Sequence, residues 1–419
     1  MKRVFPLSIS LLVSTASPLL SKDWPQWRGP NLDASSTETG IIKDWSKSPP
    51  KLLWNSEGAG KGYSSVSVSK GVIYTTGNFS GDREGQGISA FSTKDGKLLW
   101  QTPVTDFTPD HGHKGARSVP AVDGDRLYIT TSNGMIACVS TQGEILWRKD
   151  FKSEWSGKMM SGWGFSESPL IDGDHVIITP GGKDAFMVAL DKKTGATKWK
   201  TRITEDLGKK GKDGAGYGSI VISKAGDVKQ YVQMTGRGVM GVRAKDGKFL
   251  WCYNPVANST ANISTPVVAG DHIFCSTGYG TGSALLKLDG KSAEEVYFLK
   301  PKTLQNHHGG MVLVDGHIYC GHRHNGGEPI CIDIKTGEVK WGPEKGAGHG
   351  SACVLYVDGH LIYRYESGHV ALVKATPEGY QLKGSFMPAH KEKESWAHPV
   401  VSDGKLYLRE QNRLMCYEL

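Results

Sequence analysis

The residues in this chain best suited to chemistry are closely spaced histidines: Asp110-His111-Gly112-His113, His307-His308 and His322-Arg323-His324. Imidazoles one or two positions apart can share a transition metal, although metal-free histidines on a surface or in a funnel read the same way. A second set recurs at wide, regular intervals: Tyr63, Arg117, Trp163, Tyr217, Asn262, His307 with His308, His349, and Trp396 with His398. Most stand beside a Gly or Ser, which lets a backbone or a ligand approach closely. Aromatic faces, imidazoles and a guanidinium at equivalent positions suit a flat, anionic or hydroxyl-rich ligand. The alternative is that these aromatics plug the channel of an inert ring.

Something must hold those positions in register, and a repeat supplies it. A glycine lies four residues before a tryptophan at Gly96 and Trp100, Gly143 and Trp147, Gly195 and Trp199, Gly247 and Trp251, and Gly337 and Trp341. Segments such as VALDKKTGATKW and CIDIKTGEVKW read as a strand, a turn with Gly in its left-handed position, and a strand ending in Trp. Trp54, in KLLWNSE, supplies the strand ending without the turn. Steps between successive tryptophans from Trp54 are 46, 47, 52, 52 and then 90 residues. The long step hides a degenerate unit, LLKLDGKSAEEVY, with Tyr297 in the Trp place. Between tryptophans a second motif recurs, a small residue or Pro, an apolar pair, a Gly turn and an apolar strand, as in SVPAVDGDRLYIT, STPVVAGDHIFCS and AHPVVSDGKLYLR. Four strands per unit of this length make a propeller blade.

Blades are expected to close at Trp54, Trp100, Trp147, Trp199, Trp251, Tyr297 and near Gly384, with an eighth split across the termini. KLLWNSE would add the last strand of the split blade and leave no open sheet edge. The expected fold is therefore an all-β, eight-bladed β-propeller over 51–419, with seven blades as the runner-up. Turns within the second motif and before each Trp are short, and they share one end of each blade. Connections 101–117, 148–166, 200–216 and 252–264 are long and share the other end with 77–87 and 321–329. That end, where the recurring aromatics and histidines enter a central funnel, is the expected ligand face.

The repeat resembles the pyrroloquinoline-quinone (PQQ)-type propeller repeat, A-x-D-x-x-T-G-x-x-x-W. Ala189, Asp191, Thr194, Gly195 and Trp199 match it fully; Asp333, Thr336, Gly337 and Trp341 match with Cys331 in the Ala place. Other units keep Gly and Trp but carry Ser92, Val139 or Arg243 in the Asp place. The lead-in DWPQWRGPNLDASSTETGI is similar to that of exported BamB-like propellers. The resemblance implies that Trp packs across blade junctions, and it spans dehydrogenases, cofactor-free scaffolds and sensors, so fold alone does not choose among them. In a dehydrogenase of this kind, PQQ stacks on a Trp and a calcium ion polarises it beside an Asp base. Trp163 or Trp396 would stack, Arg117 would meet the cofactor's carboxylates, and Glu167 with Asn262 would touch the ion. No Asp occupies an equivalent inner position, Asp110 being the nearest, and the adjacent cysteine pair and CxxCH motif of some relatives are absent. The expected role is a ligand- or protein-binding scaffold working through the funnel, with a PQQ-dependent alcohol or sugar dehydrogenase as the alternative.

Composition narrows the partners. Formal charge is +8 with no long Lys/Arg run, which gives nucleic-acid binding little support. No apolar stretch reaches the roughly 18 residues a membrane helix needs. Residues 1–21 read as a secretory leader, with Lys2 and Arg3, an apolar centre at 4–13, and a small-residue cleavage site at Ser14-Thr15-Ala16 or a second at Ser21. A lead-in at 22–50 follows. The first cysteine is Cys138, so the leader lacks the cysteine of a lipid anchor, and an exported chain, periplasmic or extracellular, is expected. The seven cysteines sit in strand-like runs and read as buried thiols. Only Cys320 and Cys331, flanking Asn325-Gly326, invite a pairing.

Overall fold

The computed structural model describes residues 23–419; the leader expected at 1–21 lies outside the described residues. Eight antiparallel sheets form the blades, at 67–103, 121–150, 170–200, 221–253, 267–299, 311–341, 352–386, and 400–418 with Lys51–Glu57. In each, the first strand is innermost, and innermost strands of neighbouring blades touch around most of the ring. Eight blades replace the runner-up of seven. The tryptophans close different blades from those expected. Trp54 closes the split blade itself, because its strand is the one that pairs with Arg413–Glu418, and Trp341 closes the sixth blade.

The Gly-x-x-x-Trp spacing explains how blades join. Each turn glycine has positive φ, and a Cβ there would run into an aromatic ring of the preceding blade: Gly96 into Trp54, Gly143 into Trp100, Gly195 into Trp147, Gly247 into Trp199, Gly337 into Tyr297. Glycine is required twice over, for the left-handed backbone and for the ring lying flat on it. Several rings also donate a hydrogen bond across the seam, Trp100 to Thr141 O, Trp147 to Lys192 O and Tyr297 to Ile334 O. Trp251 departs from the pattern. The following unit places Gly290 seven residues before Tyr297, out of reach of Trp251, which turns inward and donates to Gln230 Oε1 at 2.8 Å.

The split blade is stitched to both neighbours by buried arginines. Arg409 donates to Thr75 Oγ1 and to the carbonyls of Ala59, Gly60, Ser64 and Thr76 in the first blade and the loop before it. Arg364, in the seventh blade, forms a fully buried ion pair with Glu410 at 3.0 Å and donates to Ala397 O. A buried charge without such partners would be strongly unfavourable, so these contacts define the register of ring closure.

The lead-in crosses the short-turn end of the ring, against the finishing ends of the innermost strands. Trp24 pairs with Val68, Pro25 O accepts from Val122 N, and Ser35–Ser36 adds a parallel strand to Ala352–Val357. Glu38 then accepts from the amides of Asp403 and Gly404. All seven cysteines are free. The pairing considered for Cys320 and Cys331 fails on register: Cys320 stands opposite Ile330 and Cys331 opposite Tyr319, a one-residue offset that sends the two thiols to opposite faces of the sheet.

Candidate functional site

On the long-loop end the ring opens into a central cavity of about 430 Å³, within the range of small-molecule sites. Tyr63, Arg117, Trp163, Tyr217, His307, His308, Trp396 and His398 all line it, each arriving from the segment just before an innermost strand. Glu167, Asn262 and His349 do not. Strand-like alternation explains the first two. Ser166 and Ser168 face the cavity and Glu167 between them faces the blade; Ala261 and Ile263 face it and Asn262 does not. His349 lies in an adjoining groove with Lys114, Lys391 and Lys393, which meets the cavity at Tyr63, His113, Glu366 and Glu394.

Sequence reasoning missed several lining groups. Tyr279 and Glu366 come from second-to-third strand loops, and Trp27 and Arg28 come from the lead-in and close the floor; His324, one of the closely spaced histidines read from the sequence, joins the wall from another such loop. The lead-in arginine carried no signal of its own, because it belongs to no repeat. The loop residues could have been found from Tyr279, which is flanked by Gly278 and Gly280 in a short connection.

The walls are a connected set of rings. Trp396 lies 4.7 Å from Tyr63, 5.0 Å from His308 and 4.8 Å from His113 between centroids. Across the cavity Trp163 lies 5.9 Å from Tyr217. His307 is 4.3 Å from His308 and 4.2 Å from His324, and its Nδ1 and Nε2 meet Ser351 Oγ and Tyr279 OH. Burial, reinforced by the neighbouring imidazoles, pushes His307 down to about 2 and His308 to about 3. Burial and the nearby Arg28 hold His398 at about 3. These imidazoles are therefore neutral at ordinary pH, each offering one donor and one acceptor.

Arg117 is a loop organiser more than an open receptor. Its Nη1 donates to Trp163 O at 2.6 Å, and its Nη2 to Gly112 O and His113 O. Its guanidinium also sits 5.8 Å from the Tyr63 ring centroid, and burial lowers its pKa to about 10. Trp396 Nε1 donates to Glu366 Oε2 at 3.0 Å, and Glu394 accepts from Tyr63 at the mouth.

Aromatic faces fit a flat quinone, but the cation half of a quinone–calcium site does not fit. Glu167 accepts from Thr179 N, Thr179 Oγ1 and Gln233 Nε2 inside its blade, and burial pushes its pKa up to about 8. Asn262 spends its amide on Thr235 O and Gly236 O and its oxygen on Asn258 N. Neither is left to ligate an ion. Among the described residues no group of three or more His, Cys, Asp or Glu side chains is disposed to hold a metal, so the paired histidines do not assemble into such a centre either.

Comparison with known proteins gives a consistent picture. The sequence profile described as outer membrane protein assembly factor BamB matches residues 84–342. BamB of Nitrosomonas eutropha (strain DSM 101675 / C91 / Nm57) is 23% identical over 280 residues, which is 63% of this chain and 58% of that protein. The match thus spans less than two thirds of that relative. Among solved structures, BamB from Moraxella catarrhalis superposes with a TM-score of 0.62 at 14% identity, covering 88% of this chain and 98% of that one. A europium-containing methanol dehydrogenase gives 0.67 at 12% identity, covering 95% and 98%. At such identities the two structures show the fold alone.

Proposed function

Taking as its premise that the chain belongs to the family of outer membrane protein assembly factor BamB, built on PQQ-like repeats, we propose that it is an exported binding propeller whose funnel holds a small ligand. The observation that carries this reading is the cavity itself. Entries to seven of the eight blades converge on it, five of them with aromatic rings or neutral imidazoles, and the lead-in closes it below. An inert plug would fill that volume with packed side chains; here it stays open. Export rests on the leader read in the sequence.

The quinone-dependent dehydrogenase is the weaker reading, because the residues that would hold its calcium ion are tied up within the blades. The chemistry such a cofactor supplies when bound is acceptance of two electrons from an alcohol. What this chain's own residues do is stack, hydrogen-bond and exclude water. The two readings separate by titrating the protein with PQQ, with and without calcium, read by tryptophan fluorescence, and by dye reduction with alcohols and sugars added. The proposal expects any binding to be calcium-independent and weakened by Trp163→Ala or Trp396→Ala, with no substrate-dependent dye reduction. Sustained dye reduction would make the chain an enzyme.

A further inference from the structure

Three buried ring or guanidinium nitrogens in this one cavity have no hydrogen-bond partner: Arg28 Nη1, His308 Nε2 and His324 Nδ1. Buried polar groups are normally satisfied, and although other unpaired atoms are scattered through the described residues, these three share one cavity, where a ligand's polar atoms could meet them. Arg28 is the telling member. It is 3% exposed, makes no close ion pair among the described residues although the Asp33 charge is near, and spends Nε and Nη2 on the carbonyls of Leu32, Asp33 and Met311. Those contacts fix the guanidinium in place and leave Nη1 without a partner beside Gly310, which also lines the cavity. Gly310 keeps the space in front of it open: a Cβ there would stand 2.8 Å from Nη1 and 3.2 Å from His398 Cε1.

Resting on the funnel being a binding site, we infer that its floor is a carboxylate receptor and that the ligand is a hydroxylated ring acid of the hexuronate class. The carboxylate would complete the fork of Arg28, which a planar anion matches better than any neutral group. His308 and His324, further up the wall, present nitrogens that pair with hydroxyls. Burial keeps His308 neutral and lowers the pKa of His324 as well, so each can accept as well as donate, which suits a hydroxyl and not a second anion. Trp396 and Tyr279 offer flat apolar faces to a sugar ring. Orientation follows from charge. Glu366 and Glu394 stand at the mouth and Arg28 at the floor, so a bound acid is oriented with its carboxylate at the floor, away from the two glutamates.

The test is calorimetric titration of the intact mature protein with D-glucuronate and, in parallel, with neutral D-glucose. The inference expects glucuronate to bind about tenfold or more tightly than glucose. Arg28→Met should erase that preference, bringing glucuronate to no more than the affinity that the same variant shows for glucose, and His308→Phe should weaken both sugars together. Should Arg28→Met fail to fold, the wild-type comparison of acid with neutral sugar still decides. Equal affinity for the two sugars, or an acid preference that survives Arg28→Met, overturns the receptor. Binding of neither sugar overturns the ligand class. The funnel reading falls separately, only if aromatic probes also fail to engage Trp163 and Trp396.

Discussion

Burial keeps the funnel imidazoles uncharged, and that has a measurable consequence for stability. His307, His308 and His398 hold folded pKa values of about 2, 3 and 3, against an ordinary 6.5. As pH falls below 6.5 the unfolded chain takes up protons that the folded chain refuses, so stability is lost progressively from about pH 6.5 downward. Denaturant unfolding followed between about pH 7 and about pH 4 should show that loss, at about 1–3 kcal/mol per imidazole by the lower limit. His308→Asn should flatten the profile; an unchanged slope would mean that the loss arises elsewhere. Much of this cluster was legible in the sequence, because His307, His308 and His398 stand at repeat-equivalent positions before innermost strands. Glu167 and Asn262 misled for the opposite reason. A position one residue off in a strand-like approach points into the blade, and repeat alignment by eye does not resolve a single residue.

Between elements, the governing contact is a ring lying on a glycine. Gly195 and Gly173 both have positive φ, but only Gly195 faces a ring, with Trp147 2.8 Å from where a Cβ would be; nothing lies within 4 Å of Gly173. Gly173→Ala should therefore cost about 1 kcal/mol, from the backbone alone. Gly195→Ala should cost about 1–3 kcal/mol more, because the ring must shift from its seat. Thermal unfolding of the two variants checks this, and equal costs would show that the seam contributes nothing. The spacing that makes this contact was readable directly, down to Tyr297 standing in for Trp. The inward turn of Trp251 was not, since it follows from a missing glycine in the next unit and from an unrelated partner, Gln230.

The whole ring depends on one closure made from both ends of the chain. Arg364, Glu410 and Arg409 tie the split blade to its neighbours, and Arg364 and Glu410 are each only 1% exposed. Glu410→Ala leaves Arg364 charged and unpaired in the interior, and a loss of about 3–5 kcal/mol in unfolding free energy is expected. Hydrogen exchange should then rise first in Lys51–Glu57 and Arg413–Glu418; uniform exchange across all blades would argue against a local seam. The split was legible from KLLWNSE, which ends like a blade strand yet has no turn before it. The buried arginines were not, because each reads as an ordinary alternating polar position in its strand.

This closed ring keeps an open funnel, which we propose holds a small ligand. The most direct measurement is the shift in unfolding temperature of the wild type and of Trp396→Ala across a panel of flat acids, PQQ, hexuronates and neutral sugars. At least one panel member is expected to stabilise the wild type, and Trp396→Ala to abolish or sharply reduce that shift. No stabilisation by any member, or a shift that Trp396→Ala leaves intact, would contradict the proposal.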